Sequence, residues 1–365
     1  HWRAIEGSTA SSTAAKDYPE AAAIRALSEH LERVGTPALV ETGPAPTAYR
    51  VRWKLPKNRP LVSIIIPTRN GKDLVAQCID SIERVTTYPN IELILVDNQS
   101  DESASRAYFD LLDHQGRAKV LRYDAPFNYA AINNAGVRAS SGELLCLLNN
   151  DIEVISPNWL DEMVAQMLRP GVGAVGAKLR YPDDTIQHAG VVLGLGGVAG
   201  HGHKRFTHSD FGYFSRLVIA HEVGAVTAAC LVTSRQVWDQ VGGLDANNLA
   251  VAFNDIDYCL RIRKAGHRVV FTPFAELYHY ESVSRGGEDT PDKQARFRSE
   301  VGYMLDTWGA ELLADPAYSP NLSLEVESFS SARVPRVAYE WRPGGASLRP
   351  GSLPTIPGIE RPESL

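Results

Sequence analysis

A short apolar stretch that ends in polar side chains is the first place in this sequence where chemistry could occur. Residues 144–148 are all apolar and predict a buried strand, and Asn149-Asn150-Asp151 follows it directly. A carboxylate at the carboxyl end of a central strand stands where open α/β sheets bind their ligands. Asn and Asp are also common in simple turns, so the tripeptide alone leaves both interpretations open.

Two further strand ends favour a binding site over a simple turn. The polar segments 68–70 and 97–98 also follow predicted apolar strands. Parallel strands end at one edge of a sheet, so Thr68, Asp97 and Asp151 should lie in one crevice, of the kind where nucleotides bind. Three such ends in succession are hard to explain as unrelated turns.

An acidic pair stands in the first turn of a helix predicted to open at 253–261. Carboxylates at that position interact favourably with the helix dipole, so Asp255 and Asp257 could both be structural. Side chains two residues apart lie on different faces of a helix. If one acid is catalytic, the other is therefore structural, for example as the partner of Arg261.

These candidates need a sheet covered by helices to bring them together. Hydrophobic periodicity predicts strands at 61–66, 91–96, 119–123 and 144–148, and helices at 73–85, 103–112 and 129–139. Further helices are predicted at 158–168, 235–241 and 296–312, and further strands at 173–179, 268–272 and 276–279. The alternation indicates βαβ units, hence an α/β fold with a mainly parallel sheet flanked by helices.

The remaining segments predict the domain organisation. Residues 1–60 contain a helix at 18–33, a Pro-rich linker and a strand at 49–53, and form an N-terminal helical preamble. The α/β domain is predicted at 61–312, and an irregular Pro/Ser-rich C-terminal tail at 313–365. The chain begins with His1 and not Met, which is compatible with a piece cut from a longer polypeptide.

The composition is that of an ordinary globular protein, with 365 residues, 44% hydrophobic and 22% charged. A net charge of −6 gives no overall nucleic-acid signature. The cysteines form no CxxC pair and are predicted to be buried free thiols: Cys78, Cys146, Cys230 and Cys259. The absence of a long apolar run or a signal peptide predicts a cytoplasmic location.

The glycine-rich region 190–203 does not have the spacing of a dinucleotide-binding loop, and we interpret it as a flexible loop or strand. The histidines of this part of the chain are interpreted as surface or hydrogen-bonded residues: His201, His203, His208 and His221.

Six segments in order resemble the inverting family 2 glycosyltransferases of the GT-A (Rossmann-like) fold, and the resemblance covers about residues 60–310. Bacterial enzymes that build surface polysaccharides such as O-antigen, including rhamnosyltransferase-like members, are the most similar group. Segments near the start of the chain also resemble those joining the domains of larger multi-domain members. The six segments are 61–70, 96–100, 148–151, 242–245, 253–257 and 277–282.

The resemblance implies a role for each matching residue. Asp255 would be the catalytic base, and Asp151, the last acid of the DXD motif, would hold Mg²⁺ or Mn²⁺ together with His279. The residues implied to bind the nucleotide sugar are Pro67, Thr68, Asn70, Asp97, Asn98, Asn134 and Asn150. Two positions depart from the family pattern. Asn149 replaces the first DXD acid, and Asn254 replaces a Glu before the base.

The chemistry expected from the resemblance is transfer of a sugar from a nucleotide diphosphate donor to a hydroxyl of a glycan or lipid-linked glycan. A metal ion would offset the charge of the departing diphosphate, and a single base would give inversion. The two departures leave open a degenerate binding module without activity. A nucleotidyltransferase is a further alternative, but 67–71 lacks its basic glycine-rich signature. A lipid-linked acceptor would place the enzyme peripherally at the inner face of the cytoplasmic membrane.

Overall fold

The structure, a computed structural model, describes residues 19–36, 38–281 and 290–336. The chain divides into two units, His1–Pro56 and Lys57–Leu365. In the first unit, α1 (Pro19–Arg33) precedes an antiparallel pair of strands, β1 (Ala38–Thr42) and β2 (Tyr49–Trp53). The sequence predicts α1 and β2, but it predicts linker at β1 because the surrounding segment is rich in proline. Ser282 and the segments 1–18 and 337–365 lie outside the described residues.

Ten strands form the central sheet in the described part of the second unit. They are β3 (Val62–Thr68), β4 (Ile91–Asp97), β5 (Lys119–Arg122), β6 (Leu144–Leu148), β7 (Ile152–Val154), β8 (Val172–Arg180), β9 (Ile186–His188), β12 (His221–Glu222), β13 (Cys230–Ser234) and β14 (Arg268–His279). The hairpin strands β10 (Val191–Leu193) and β11 (Ala199–His201) stand apart from it. The spatial order is β12-β14-β8-β13-β6-β3-β4-β5, with β7 on β14 and β9 on β8.

Seven α-helices accompany these strands in the described residues of the second unit. They are α2 (Lys72–Val85), α3 (Ser103–His114), α4 (Tyr129–Ala139), α5 (Trp159–Met167), α6 (Arg235–Val241), α7 (Asn254–Lys264) and α8 (Pro291–Leu313). Side chains that accept a backbone N–H mark three of the starts, at Asn128 for α4, Ser234 for α6 and Thr290 for α8. These capped ends explain why α4 and α6 begin where the sequence predicts.

The four strands β6, β3, β4 and β5 run parallel, which confirms the predicted parallel arrangement for the first half of the domain. The complete sheet is mixed, because β13 is antiparallel to both β6 and β8. Parallel neighbours need a crossover connection that is usually an α-helix. The connection from β8 to β13 holds the β10–β11 hairpin and no α-helix, so β13 is not constrained to run parallel.

Strand β14 carries the chain from the core to the polar edge of the sheet. The sequence predicts two strands here, at 268–272 and 276–279, but the structure forms one strand with a register irregularity between Thr272 and Glu276. Pro273 lies in that irregularity and has no N–H to give to the ladder. Beyond it, His279 pairs with Ile152 of β7, directly after the Asn-Asn-Asp turn.

The predicted irregular tail is irregular as far as the structure describes it, but it is packed. Tyr318, Leu322, Leu324 and Phe329 are buried and join the main core cluster. All four cysteines are buried free thiols, as predicted. Across the described residues, no helix combines the length and apolarity that a membrane crossing requires.

Candidate active site

A cavity of about 340 Å³ opens at the carboxyl ends of β3, β4 and β6. Its walls are Pro67, Thr68, Arg69, Asn98, Phe127, Tyr129, Ile132, Asn149, Asn150, Asp151, Lys293 and Arg296. The structure thus brings together five residues that the sequence places in a nucleotide or metal site: Pro67, Thr68, Asn98, Asn150 and Asp151.

Side-chain hydrogen bonds fix the Asn-Asn-Asp turn against its neighbours. Asn150 Nδ2 donates to Thr68 Oγ1 over 2.9 Å and so joins the ends of β6 and β3. The Tyr129 hydroxyl donates to Asn149 Oδ1 over 3.0 Å, and burial raises the pKa of Tyr129, which keeps that proton in place. Asn149, which replaces an acid of the family motif, therefore acts as a hydrogen-bonding residue of the turn.

Asp151 faces His279 across the floor of the site. Asp151 Oδ1 lies 3.1 Å from His279 Nε2, and both side chains are buried. Two further contacts orient the imidazole. Its Nδ1 lies 2.6 Å from Gln187 Oε1, and its Nε2 lies 3.2 Å from Asn149 Nδ2.

The role of each imidazole nitrogen follows from these contacts. Gln187 Nε2 donates to Glu281, so its amide oxygen faces His279 and requires a proton on Nδ1. In its neutral form the imidazole has its lone pair on Nε2, which faces both Asp151 Oδ1 and Asn149 Nδ2. Asp151 Oδ1 is itself buried at this contact with His279 Nε2. Two lone pairs that face one another at this distance fit a shared cation.

Asp151 and His279 fit a metal site whose remaining positions a bound ligand would fill. In the part of the chain that the structure covers, no group of three His, Cys, Asp or Glu side chains could hold a metal ion. An ion held by Asp151 and His279 would therefore keep open positions. Mg²⁺ sites commonly use one or two carboxylates together with phosphate oxygens and water.

Asp97 lies at the same sheet edge, opposite Thr68 in the β3–β4 register, but it does not line this cavity. Its buried carboxylate forms an ion pair with the exposed Arg122 and accepts from the Ser100 hydroxyl, in a separate depression of about 500 Å³. The expectation of one crevice for Thr68, Asp97 and Asp151 is corrected in this respect. Asn98 lines the first cavity, and its amide is held by the carbonyl of Ala125.

Asn70 and Asn134 organise loops and do not line the cavity. Asn70 has a left-handed backbone with φ 54°, which Asn tolerates, and its side chain accepts from the amides of Asp101 and Glu102. Asn134 donates to Leu244 O over 2.8 Å and accepts from Leu244 N over 3.0 Å. Asn70 therefore fixes the loop after β4, and Asn134 fixes the 242–245 segment.

Asp255 lies in the first turn of α7, and backbone amides hold its carboxylate. It accepts from Ala228 N over 3.0 Å and from Ile256 N over 2.9 Å. Burial raises its pKa, although these N–H groups act in the opposite direction. Hydrogen bonds therefore hold the Asp255 side chain in one position. Ala228 links Asp255 to the cavity wall, because its carbonyl accepts from the Tyr129 hydroxyl over 3.3 Å while its N–H donates to Asp255.

Asp257 occupies a structural position, as expected for the second acid of the pair. It is buried, and Arg261 Nη2 lies 2.7 Å from its Oδ2. The Trp308 indole donates to its other oxygen over 2.9 Å. Asp257 therefore joins α7 to α8, and its oxygens are engaged.

Three contributors to the site were not found from the sequence. Lys293 and Arg296 reach the cavity from the first turns of α8, and Gln187 orients His279. Their i, i+3 spacing puts both cations on one helix face, and this pattern could have indicated their shared role from the sequence. No comparable signal marks Gln187, because its partner is 92 residues away.

Comparison with known proteins adds to this geometry. Residues 63–235 match the family model described as Glycosyl transferase family 2. The uncharacterized protein y4gI of Sinorhizobium fredii is 54% identical over 330 residues, covering 90% of this chain and 36% of that protein. The O-antigen biosynthesis protein RfbC of Myxococcus xanthus is 40% identical over 344 residues, covering 92% of this chain and 26% of that protein. The chain therefore spans only a minor part of each of these relatives.

Among solved structures, that of GalNAc-T7 with UDP, GalNAc and Mn²⁺ is similar, with a TM-score of 0.57. Its sequence is 15% identical, and the match covers 72% of this chain and 50% of that one. At this identity the likeness concerns the fold alone. It confirms the GT-A architecture that the sequence predicts.

Proposed function

The chain carries a glycosyltransferase family 2 domain, and from that premise we propose that it transfers a hexosyl or deoxyhexosyl group with inversion. The donor is a nucleotide diphosphate sugar, and the acceptor is a hydroxyl of a glycan or lipid-linked glycan. The buried Asp151–His279 pair beside the cavity carries the proposal. Because one relative is named an O-antigen biosynthesis protein, we assign the activity to bacterial surface polysaccharide synthesis. A lipid-linked acceptor would place the enzyme peripherally at the inner face of the cytoplasmic membrane.

The cavity suits a nucleotide diphosphate in its charge and its polar groups. Lys293 and Arg296 supply cationic groups for phosphate oxygens, and Asn150 and Thr68 supply short polar side chains. Pro67 and Asn98 line the same cavity on the nucleotide side. In this proposal, Asn70, Asp97 and Asn134 act by holding the surrounding loops.

Asp151 and His279 would hold Mg²⁺ or Mn²⁺ against the donor diphosphate. The solved structure of similar fold contains UDP and Mn²⁺, which supports this choice of ligand and ion. A bound divalent ion supplies Lewis-acid stabilisation of the departing diphosphate. Gln187 and Asn149 contribute by orienting the imidazole, with Nδ1 toward Gln187 and Nε2 toward Asn149 and Asp151.

Asp255 is the proposed base that takes the proton of the acceptor hydroxyl. Its raised pKa makes the carboxylate a better proton acceptor, and the amides of Ala228 and Ile256 hold it in position. A single base and a donor bound at the sheet edge give one displacement, and hence inversion.

Turnover tests the proposal directly. The protein is incubated with Mn²⁺, a panel of UDP-, GDP- and dTDP-sugars and a bacterial glycan primer, and release of the nucleoside diphosphate is measured. We expect primer-dependent release from at least one donor and loss of that release in Asp255→Asn. Donor binding without release from any donor would support the degenerate binding module instead.

A further inference from the structure

A second cavity, of about 590 Å³, shares no lining residue with the cavity at the ends of β3, β4 and β6, the donor cavity of the proposed function. We propose that it holds an uncharged pyranose ring of the acceptor glycan, stacked against Phe253 and Phe297. This inference rests on the proposed sugar transfer, because it names the part of the acceptor that the site recognises.

Four parts of the chain build this second cavity. The β10–β11 hairpin region supplies residues 195–204, the approach to α7 supplies Phe253, α8 supplies Phe297 and Val301, and the C-terminal segment supplies 325–327. Two of these parts are the glycine-rich region and the Pro/Ser-rich tail. Neither has a role in the donor site, so their packed arrangement here is otherwise unexplained.

The aromatic wall is suited to a sugar ring. The ring centroids of Phe253 and Phe297 lie 5.7 Å apart at 37°, and both residues are only partly buried. Phe253 has a left-handed backbone with φ 60°, an uncommon conformation for a bulky residue, and this strain often accompanies function. The faces of aromatic rings carry partial negative charge, and the C–H faces of a pyranose can pack against them.

The charged groups of the cavity select against anions. Glu325 and Glu327 bring two carboxylates, and Lys204 brings one ammonium group. Burial, with a smaller effect of Lys204, lowers the pKa of His201 to about 4, so this imidazole is neutral at pH 7. Carboxylates therefore outnumber the cation, which suits the hydroxyls of an uncharged sugar and opposes a phosphate or uronate group.

The position of the cavity relative to the donor site fits an acceptor. Phe253 stands two residues before the proposed base Asp255, and Phe297 directly follows Arg296 of the donor cavity. The start of α7 and the first turns of α8 are thus shared between the base, the donor cavity and this cavity. A glycan bound against both rings would present a hydroxyl toward that junction.

Saturation-transfer NMR with simple glycosides tests this proposal. The probes are methyl β-D-glucopyranoside, methyl α-L-rhamnopyranoside, methyl β-D-glucuronide and octyl β-D-glucopyranoside. Each is added to the full chain in the presence of Mn²⁺ and of the nucleoside diphosphate that the chain binds most tightly. A diamagnetic repeat with Mg²⁺ removes paramagnetic broadening. We expect saturation of ring protons in at least one neutral glycoside and none in the glucuronide.

Substitutions then locate the binding. Phe297→Ala should weaken binding of the neutral glycoside by at least about tenfold, since it removes half of the aromatic wall. Phe214→Ala is the matched control, because Phe214 is 82% exposed and lies outside both cavities. Glu327→Lys alters only an exposed side chain and should admit the glucuronide. Glu327→Lys therefore tests the proposal even if Phe297→Ala does not fold.

The outcomes separate this inference from the proposed function. Nucleoside diphosphate binding should be unchanged in Phe297→Ala and Glu327→Lys. A wild-type protein that binds no nucleoside diphosphate would instead contradict the transferase proposal itself. The inference is overturned if no glycoside is saturated, if only the octyl chain is saturated, or if Phe297→Ala and Phe214→Ala bind the sugar equally well.

Discussion

At the scale of single residues, the environment separates two acids that the sequence presents as near equivalents. Asp257 is fixed by Arg261 and Trp308 in the core, whereas Asp255 accepts from backbone amides and from the Thr227 side chain. Burial raises the pKa of Asp255, so the folded state favours its protonated form relative to the unfolded state. A base needs its deprotonated form, which becomes populated as pH rises.

Asp255→Asn keeps the shape of the side chain and removes the proton acceptor. We expect kcat to fall by about 10²-fold or more with donor binding nearly unchanged. In the wild type, the rate should fall as pH is lowered through a midpoint above about 3.9, the ordinary value for Asp. That acidic limb should be absent from the residual rate of Asp255→Asn. Steady-state kinetics across pH provide the measurement.

Asp257→Asn is the matched control. It weakens a buried contact with Arg261, and we expect a lower free energy of unfolding, by roughly 1–3 kcal/mol, before any loss in the chemical step. Near-normal turnover in Asp255→Asn together with loss in Asp257→Asn would show that the roles are reversed.

At the scale of elements, the sequence is most informative where caps and periodicity act locally. Helices α4 and α6 occur where they are predicted, because each begins at a side chain that caps it. The short strands β7 and β9 were not predicted, since three residues carry too little periodicity. Pairing with β14 and β8 defines them, and that pairing depends on residues distant in sequence.

Helix α4 offers a test of how closely the helices pack on the sheet. A Cβ at Gly136 would lie 2.5 Å from Ile65 Cγ2 and 2.9 Å from Val96 Cγ2, so only glycine fits between α4 and strands β3 and β4. We expect Gly136→Ala to lower the free energy of unfolding by about 1–3 kcal/mol, through overpacking. Denaturant unfolding gives the value.

Gly302, in the interior of α8, is the control for the same substitution. A Cβ there would meet nothing within 4 Å, so Gly302→Ala should stabilise the protein by about 0.5–1 kcal/mol through helix propensity. If both variants changed stability in the same direction and by the same amount, close packing would not explain the glycine at 136.

At the scale of the whole molecule, the candidate site is only partly encoded in local sequence. The strand ends that hold Thr68 and Asp151 could be placed at one sheet edge from the βαβ alternation alone. His279 was placed near Asp151 only through the family resemblance, since β14 carries it there from far along the chain. Lys293, Arg296 and the packed tail depend on tertiary contacts, which periodicity cannot show.

Metal-dependent nucleotide binding is the most direct test of the account. Calorimetry measures the affinity for UDP, GDP and dTDP with Mn²⁺ and with EDTA, in the wild type and in Asp151→Ala, His279→Ala and the exposed-acid control Asp306→Ala. We expect Mn²⁺ to strengthen binding of at least one nucleotide by tenfold or more. A tenfold change in Kd corresponds to about 1.4 kcal/mol of binding free energy. The gain should vanish in the first two variants and persist in Asp306→Ala. Binding that is equally tight in EDTA and in Asp151→Ala would contradict the account.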